Sequence, residues 1–259
     1  MPIHIPKPWQ IPEREATPES AYFSRRSFLA ALGIGAIAAC SSRDEEEAKI
    51  AATLPKAAAP YPVKRNARYV LDRPLSNEIN AARYNNFYEF TADKDVWKRT
   101  AAFHVEPWTV EVTGLVAKPL KYSLNELLRA MPLEERLYRH RCVEAWAMTV
   151  PWSGFPLATL LRLAEPKHEA RFVRFVSAQN AAEQPGVRAQ PWYPWPYYEG
   201  LRIDEAMNEL TFAVTGVYGH ALPKQHGAPL RIAVPWKYGY KSAKSVVRIE
   251  LVAEQPHSF

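Results

Sequence analysis

A cysteine set among charged side chains is the part of the sequence best suited to chemistry. Residues 139–150 read RHRCVEAWAMTV, with Cys142 near the centre. The only other cysteine, Cys40, lies in an N-terminal segment that has the features of an export signal, so Cys142 would lack a disulfide partner in an oxidising compartment. Cationic neighbours favour the reactive thiolate form. A small cysteine buried in a core strand is the alternative interpretation.

The neighbours of this cysteine extend the argument if the segment is a strand. Alternation along residues 137–143 would place an imidazole, a thiol and a carboxylate on one face, those of His140, Cys142 and Glu144. Glu144 is then a candidate for moving protons to or from the site. The alternative role for Glu144 is an ion pair with Arg139 or Arg141.

The N-terminus predicts export. Arg25 and Arg26 precede an uncharged apolar run over residues 28–39, which is shorter than the roughly 20 residues that span a bilayer. We interpret residues 1–40 as a twin-arginine signal, which directs a protein to the periplasm. Small residues before Cys40 also resemble a lipoprotein cleavage box. Acylated Cys40 would tether the chain to a membrane, whereas ordinary cleavage nearby would release a soluble protein.

Composition limits the domain organisation and the class of partner. Residues 41–60 are rich in Ala, Pro and charge, which predicts a flexible linker, and residues 61–259 form one domain of about 200 residues. The net charge of +6 comes without a long basic block or aromatics alternating with Lys and Arg, which excludes a nucleic-acid surface. The seven histidines lack zinc-ligand spacing.

Short elements of both types are predicted in this domain. Ser123 and Glu126 form a capping box that begins a helix ending near Met131, and a second helix covers residues 157–164. Strands are predicted over residues 108–112, 171–177, 210–217, 230–234 and 245–252. Helices scattered between strands favour an α+β fold over a regular βαβ winding.

Four segments resemble a known family. They read YNNFYEF from Tyr84, RCVEAW from Arg141, YYEGLRIDEAM from Tyr197 and GAPLRIAVPWKYGYK from Gly227. In type and order they resemble the periplasmic methionine-sulfoxide reductases, which belong to the sulfite-oxidase-fold molybdoenzymes. The resemblance extends from about Tyr84 to Val252 and includes the twin-arginine signal.

This resemblance implies a sulfite-oxidase-type molybdopterin-binding domain that holds one molybdenum and one pyranopterin. Cys142 matches the protein ligand of the metal, and a soft thiolate suits that role. Arg231 and Lys244 match residues that would bind the pterin phosphate. The positions matching cofactor contacts are Asn85, Tyr88, Glu89, Ser177, His226, Arg231, Ser242, Ala243 and Lys244.

The sequence departs from the family pattern in three places. Ser177 stands where threonine is expected, which preserves the hydroxyl. His226 stands where asparagine is expected, and a histidine can take up a charge. Chains of the family also continue for some tens of residues past the position of Phe259, so we expect the domain to lack that segment.

The implied activity is oxygen-atom transfer to molybdenum from methionine sulfoxide in oxidised periplasmic proteins. Glu144 is the catalytic candidate beside Cys142. The resemblance implies a haem-containing membrane subunit as electron donor. The sequence has no C-x-x-C-H haem site and no G-x-G-x-x-G turn, so a reductase of this kind would need an external donor. Membrane contact would then occur only through that partner or through a lipid on Cys40.

Three alternatives remain open at this stage. The same fold acts on other oxo substrates, for example in sulfite oxidation. A thiol enzyme would use Cys142 as nucleophile and His140 or His226 as base. A noncatalytic periplasmic binding module would need neither metal nor reactive thiol.

Overall fold

The computed structural model describes residues 36–257. The chain divides into two units between Lys49 and Ile50, which are described separately. The predicted export signal, with Arg25 and Arg26, lies outside the described residues, as does the side chain of Cys40.

Helix α1 (Ala36–Ala51) supplies what is described of the first unit. Its exposed side chains form ion pairs one turn apart, between Arg43 and Glu47 at 3.1 Å and between Lys49 and Glu45 at 3.8 Å. Composition predicts a flexible linker over residues 41–60, and the structure has a helix over the first part of that range. No helix among residues 36–257 is long and apolar enough to cross a membrane.

Two five-stranded sheets form the second unit. The first contains β1 (Thr109–Gly114), β2 (Leu120–Ser123), β5 (Phe172–Ser177), β6 (Tyr198–Arg202) and β10 (Val246–Val252). Their order is β2-β1-β10-β5-β6, and β1 pairs with β10 in parallel while the other pairs are antiparallel. The side chains of Val110 and Val112 are buried and alternate with more exposed neighbours along β1, which is the pattern of a half-buried strand.

The second sheet is antiparallel throughout. It contains β3 (Glu134–Arg141), β4 (Ala147–Pro156), β7 (Phe212–Val217), β8 (His220–Ala221) and β9 (Arg231–Ala233). The order is β3-β4-β7-β8, and β9 also pairs with β7. Because Arg231 lies opposite Val214 in this pairing, the sheet fixes the backbone from which its side chain projects.

The remaining helices are short, as the sequence predicts. They are α2 (Glu78–Arg83), α3 (Leu124–Ala130), α4 (Leu157–Ala164), α5 (Pro185–Ala189) and α6 (Ile203–Ala206). The predicted capping box is confirmed: Ser123 and Glu126 each bind the other's backbone N–H at the start of α3. The predicted helix over residues 157–164 has the bounds of α4, which ends where Glu165 adopts a left-handed φ of 53°.

The main hydrophobic core packs around the first sheet and α4. Phe155, Leu161, Phe175 and Ile249 are fully buried members of this core. A smaller cluster in the same unit joins Ile50 to Ala82 and Trp97. The predicted strands all occur, with ends shifted by one or two residues, and the predicted α+β class is confirmed.

Candidate active site

An open cleft brings together residues that are far apart in the sequence. Nine of the predicted site residues line it: Asn85, Tyr88, Glu89, Cys142, Glu144, His226, Arg231, Ser242 and Lys244. The other two do not. Ser177 is buried at the end of β5 beside Glu89, and Ala243 packs in the core, where its carbonyl accepts a hydrogen bond from the N–H of Ile232.

Cys142 lies in the turn between β3 and β4, which we call the cysteine loop (residues 142–146). The prediction that the strand continues through residue 143 is wrong, because β3 ends at Arg141. The N–H of Cys142 donates to the carbonyl of Trp146 at 2.9 Å, and Ala145 has a left-handed φ of 65° that lets the chain reverse. The turn therefore presents the thiol, which is 9% exposed, at the wall of the cleft.

A polar network surrounds the thiol. The side-chain amide of Asn86 donates to Cys142 Sγ at 3.6 Å and to Glu144 Oε2 at 3.1 Å. Lys94 Nζ donates to Glu144 Oε1 at 2.6 Å, and Trp146 Nε1 donates to Glu144 Oε2 at 3.0 Å. Three N–H donors thus converge on one carboxylate, whose Oε2 also lies 3.7 Å from Cys142 Sγ. The hydrogen bond from Lys94 is the largest cause that lowers the pKa of Glu144 to about 2.

The observed partner of Glu144 changes its interpretation. Its ion pair is with Lys94 and not with Arg139 or Arg141, the partners that the sequence suggested. A carboxylate with a pKa of about 2 is ionised at neutral pH and is a poor proton donor. Its contacts instead make it an acceptor that holds Asn86, Lys94 and Trp146 around the cysteine.

A second group of residues forms what we call the cationic wall, which comprises His226, Arg231 and Lys244. Burial lowers the pKa of Arg231 to about 10, and burial followed by the charge of Arg231 lowers the pKa of Lys244 to about 8 and that of His226 to about 3. Gly227 has a φ of 96°, and a Cβ there would lie 2.6 Å from the Cβ of Lys244. The absence of a side chain at Gly227 therefore allows Lys244 to pack at this wall.

Glu89 is the carboxylate whose charge acts most strongly on Lys244 in this wall. It is 3% exposed, and burial raises its pKa to about 7 against the opposing positive charge of Lys244. The Ser177 hydroxyl lies close enough to favour the ionised carboxylate, although no hydrogen bond of normal geometry joins the two. Even with Glu89 ionised, Arg231 and Lys244 leave the wall with an excess of positive charge.

The unsatisfied groups of the wall indicate what it binds. Arg231 Nη2 and His226 Nδ1 are buried without a hydrogen-bond partner, and no carboxylate in the described part of the chain forms an ion pair with Arg231. Arg231 Nη2 is a buried donor that requires a partner, and a phosphate dianion suits a guanidinium and an ammonium group together. The residues present therefore fit a pterin cofactor that carries a phosphate.

The thiol fits the metal of such a cofactor. Within residues 36–257 there is no cluster of three or more His, Cys, Asp and Glu side chains that could hold a metal ion. A metal in this cleft would need ligands beyond the protein, and a thiolate such as that of Cys142 is a suitable partner for a metal already held by cofactor sulfurs.

Trp152 was missed in the sequence, whereas His140 was named there as a neighbour of Cys142. His140 and Trp152 line the cleft from β3 and β4, and Arg231 lies 4.9 Å above the Trp152 ring. Burial, with the positive charge of Arg231, holds the pKa of His140 well below its usual value. Lys94 was also missed, because a single lysine in a loop carries no pattern that links it to a distant cysteine.

Comparison with known proteins agrees with this site. The oxidoreductase molybdopterin-binding domain family matches residues 98–259, which include the cysteine loop and the cationic wall. The protein-methionine-sulfoxide reductase catalytic subunit MsrP of Pseudomonas syringae pv. tomato is 45% identical over 99% of this chain and 79% of its own length. The MsrP of Ralstonia nicotianae is 46% identical over 95% of this chain and 74% of its own length.

A solved structure supports the fold. The sulfane dehydrogenase SoxCD from Paracoccus pantotrophus superposes with a TM-score of 0.52 at 19% identity. The match covers 78% of this chain, which spans only 56% of the length of that chain, and it shows the fold alone. Fold and site thus define a molybdopterin-binding oxidoreductase domain of the sulfite-oxidase type. Within that class, the chain belongs to the MsrP family of protein-methionine-sulfoxide reductase catalytic subunits.

Proposed function

We propose that the chain is the catalytic subunit of a periplasmic, molybdenum-dependent reductase of methionine sulfoxide in oxidised proteins. The observation that carries the proposal is the presence, in one cleft, of the Cys142 thiol, the Lys244 ammonium group and the buried Arg231, whose Nη2 has no hydrogen-bond partner. A molybdenum held by one pyranopterin would satisfy both features through its metal and its phosphate.

The reaction consumes two electrons and two protons and converts a sulfoxide into a thioether and water. When bound, the cofactor supplies the oxygen-atom transfer and the electron storage. Cys142 would ligate the metal, and Arg231 and Lys244 would hold the phosphate. The MsrP names of the relatives support methionine sulfoxide in proteins as the substrate, a lesion that makes an apolar side chain polar.

The remaining cleft residues would bind and orient. The Ser242 hydroxyl accepts a hydrogen bond from the N–H of Val234, which fixes the loop beside the cationic wall. Glu144, ionised and held by three donors, would keep the cysteine loop in place, while its proposed role in moving protons is weakened by its low pKa. Glu89, with a pKa of about 7, is better suited to exchange a proton near neutral pH.

Export and electron supply complete the proposal. The twin-arginine pattern at Arg25 and Arg26 supports a periplasmic location after export of the folded protein. The chain has no haem-attachment motif of its own, so a haem-containing membrane subunit is proposed as the electron donor. Acylation of Cys40 would add a second attachment to the membrane.

The first test is the molybdenum content of protein purified from a host that makes the cofactor. We expect about one molybdenum per chain, together with reduction of methionine sulfoxide in an oxidised protein when an artificial electron donor is supplied. Cys142→Ser should change the sulfur signal in the molybdenum X-ray absorption spectrum and abolish turnover. Val143→Ala is the matched control, because Val143 is an exposed neighbour in the same loop.

The open alternatives predict different results. Molybdenum with sulfite oxidation and no sulfoxide reduction would favour another oxo substrate. A folded protein without molybdenum whose activity is lost on alkylation of Cys142 would favour a thiol enzyme. A folded protein with neither metal nor activity would leave the noncatalytic binding module.

A further inference from the structure

We propose that Lys94 is a positioning residue of the active site, which acts through Asn86 and Glu144 to hold the sulfur of Cys142 in the orientation that binds the metal. The inference rests on the proposed function and goes beyond it, since the proposed function assigns Lys94 no role. Lys94 touches neither the sulfur nor the cationic wall, and its effect is carried by the two side chains that it joins.

The first step concerns the direction of the Asn86 amide. Lys94 Nζ donates a short hydrogen bond to Asn86 Oδ1. A lysine ammonium group has only donors, so the Asn86 oxygen must face Lys94 and its NH₂ group must face the other way. The NH₂ group then points at Cys142 Sγ, at 3.6 Å, and at Glu144 Oε2, at 3.1 Å. Without Lys94, no contact prevents the Asn86 amide from rotating by about 180°, which would exchange the positions of its oxygen and its NH₂ group.

The second step concerns the sulfur. Cys142 Sγ is approached by two N–H donors, the Asn86 side chain and the backbone of Glu144, whose nitrogen lies 3.4 Å away. Two donors on one thiolate fix which of its lone pairs remains available for a metal. A flipped Asn86 would turn its carbonyl oxygen toward the sulfur and toward a carboxylate, where it would be repelled. Lys94 thus determines whether the Asn86 side chain presents a donor or an acceptor to the sulfur.

The third step concerns why this lysine stays in place. The backbone carbonyl of Lys94 accepts a hydrogen bond from the N–H of Asn85 at 3.0 Å, so backbone and side chain of Lys94 both hold the Asn85–Asn86 pair. Its side chain is 29% exposed and ends in an ion pair with Glu144 at 2.6 Å. The network therefore joins two chain segments that are about 50 residues apart in sequence. Its several contacts hold the Lys94 side chain in a single position between Asn86 and Glu144.

The test compares the holoenzyme carrying Lys94→Met with wild type and with Lys98→Met. Lys98 lies in the same segment but pairs with Asp95 at 2.8 Å and stacks over Trp97, so Lys98→Met is the matched control. Groups that orient metal ligands typically contribute 10- to 100-fold to activity or metal affinity. We expect Lys94→Met to lower kcat by about tenfold with KM within about twofold, and to change the electron paramagnetic resonance spectrum of the molybdenum. Lys98→Met should change neither.

Two further variants separate positioning from folding. Lys94→Arg retains a cation with several donors and should restore most of kcat and the wild-type spectrum. Asn86→Ala should reproduce the spectral change. The double variant Lys94→Met/Asn86→Ala should have a kcat no lower than that of the more impaired single variant, because both substitutions interrupt the same contacts from Lys94 through Asn86 to Cys142. Additive losses in the double variant would contradict the inference.

The outcomes distinguish the two proposals. If the wild-type protein contains no molybdenum or does not reduce methionine sulfoxide, the proposed function fails. If the wild type is active and Lys94→Met keeps both the wild-type spectrum and kcat, Lys94 has no positioning role and the proposed function stands. A Lys94→Met protein that loses activity in proportion to its loss of folded protein, with an unchanged spectrum for the remainder, would also overturn the inference.

Discussion

The cysteine loop and the cationic wall line the same cleft but are stabilised in opposite ways. Around the cysteine loop, the carboxylate of Glu144 accepts from three donors and the amide of Asn86 is oriented by Lys94. In the cationic wall, Arg231 and His226 keep buried atoms without partners. The first region is complete in the protein alone, and the second requires an anion that the protein does not supply.

A second buried arginine, which lies outside the wall, has the partners that Arg231 lacks. Arg136, on β3, is 3% exposed like Arg231, but it pairs with Glu134 at 2.5 Å and donates to Tyr138 at 2.9 Å. Its guanidinium also lies 4.1 Å from the Tyr69 ring centroid. An unpaired buried charge costs several kcal/mol. The fold tolerates that cost at Arg231 because, we infer, a ligand removes it.

The largest expected effect comes from Arg231→Met. Loss of one partner from a buried charge pair costs about 2–5 kcal/mol, so cofactor affinity should fall roughly 30-fold or more. The cofactor-free variant should be no less stable than the cofactor-free wild type, because methionine removes an unsatisfied charge. Cofactor content after dialysis and urea unfolding of the cofactor-free protein check both statements.

Arg136→Met sharpens the same comparison. It removes the ion pair with Glu134 and the hydrogen bonds to Tyr138 and to the Glu209 carbonyl, so the free energy of unfolding should fall by about 3 kcal/mol while the folded fraction retains its cofactor. The contrast between the unpaired Arg231 and the paired Arg136 would be lost if Arg231→Met destabilised the cofactor-free protein as much as Arg136→Met does.

A smaller effect is expected from pH at His226. Burial holds the pKa of His226 at about 3, below the ordinary value of 6.5, so between these values the unfolded state binds a proton that the folded state does not. Stability from this group therefore decreases as pH falls from 6.5 toward 3, by at most about 1.4 kcal/mol per pH unit. His226→Asn removes the titration, so its stability relative to wild type should rise as pH is lowered.

Urea unfolding of both cofactor-free proteins at several pH values between 4 and 7 measures this difference. The comparison with wild type cancels the opposing contribution of Glu89, whose raised pKa makes stability fall as pH rises from 4.5 to about 7. A difference between the two proteins that does not change with pH would show that His226 is not held neutral by burial.

The sequence predicted these two regions unequally. Arg231 and Lys244 were assigned to phosphate from the family resemblance, and nine predicted site residues do line the cleft. The turn at Cys142 was not predicted, because its left-handed residue is Ala145, and alanine gives none of the turn signals of glycine or asparagine. The alternating pattern predicted a strand as far as residue 143, whereas β3 ends at Arg141.

The partners of Glu144 were missed for a related reason. The sequence suggested Arg139 or Arg141 as alternative partners because they are close in the chain, but Glu144 lies beyond the end of β3, in the cysteine loop. Lys94 reaches Glu144 only because the turn projects the carboxylate away from the strand and toward the loop after α2. Capping boxes and core helices are local signals, whereas this network depends on tertiary contacts between distant segments.

The smallest expected effect is that of Glu144→Gln. Glutamine keeps an oxygen that accepts from Asn86 or Trp146 and loses only the charge paired with Lys94. Because the pair is partly exposed, its loss should cost about 0.2–1 kcal/mol, and kcat should fall by no more than about fivefold. The pH profile of kcat between pH 5 and 9 should keep its shape, because a carboxylate with a pKa of about 2 does not titrate in that range. Loss of the acidic limb of the profile in Glu144→Gln would instead show that Glu144 transfers a proton. The cysteine loop would then take part in proton transfer and would not only hold Cys142 in place.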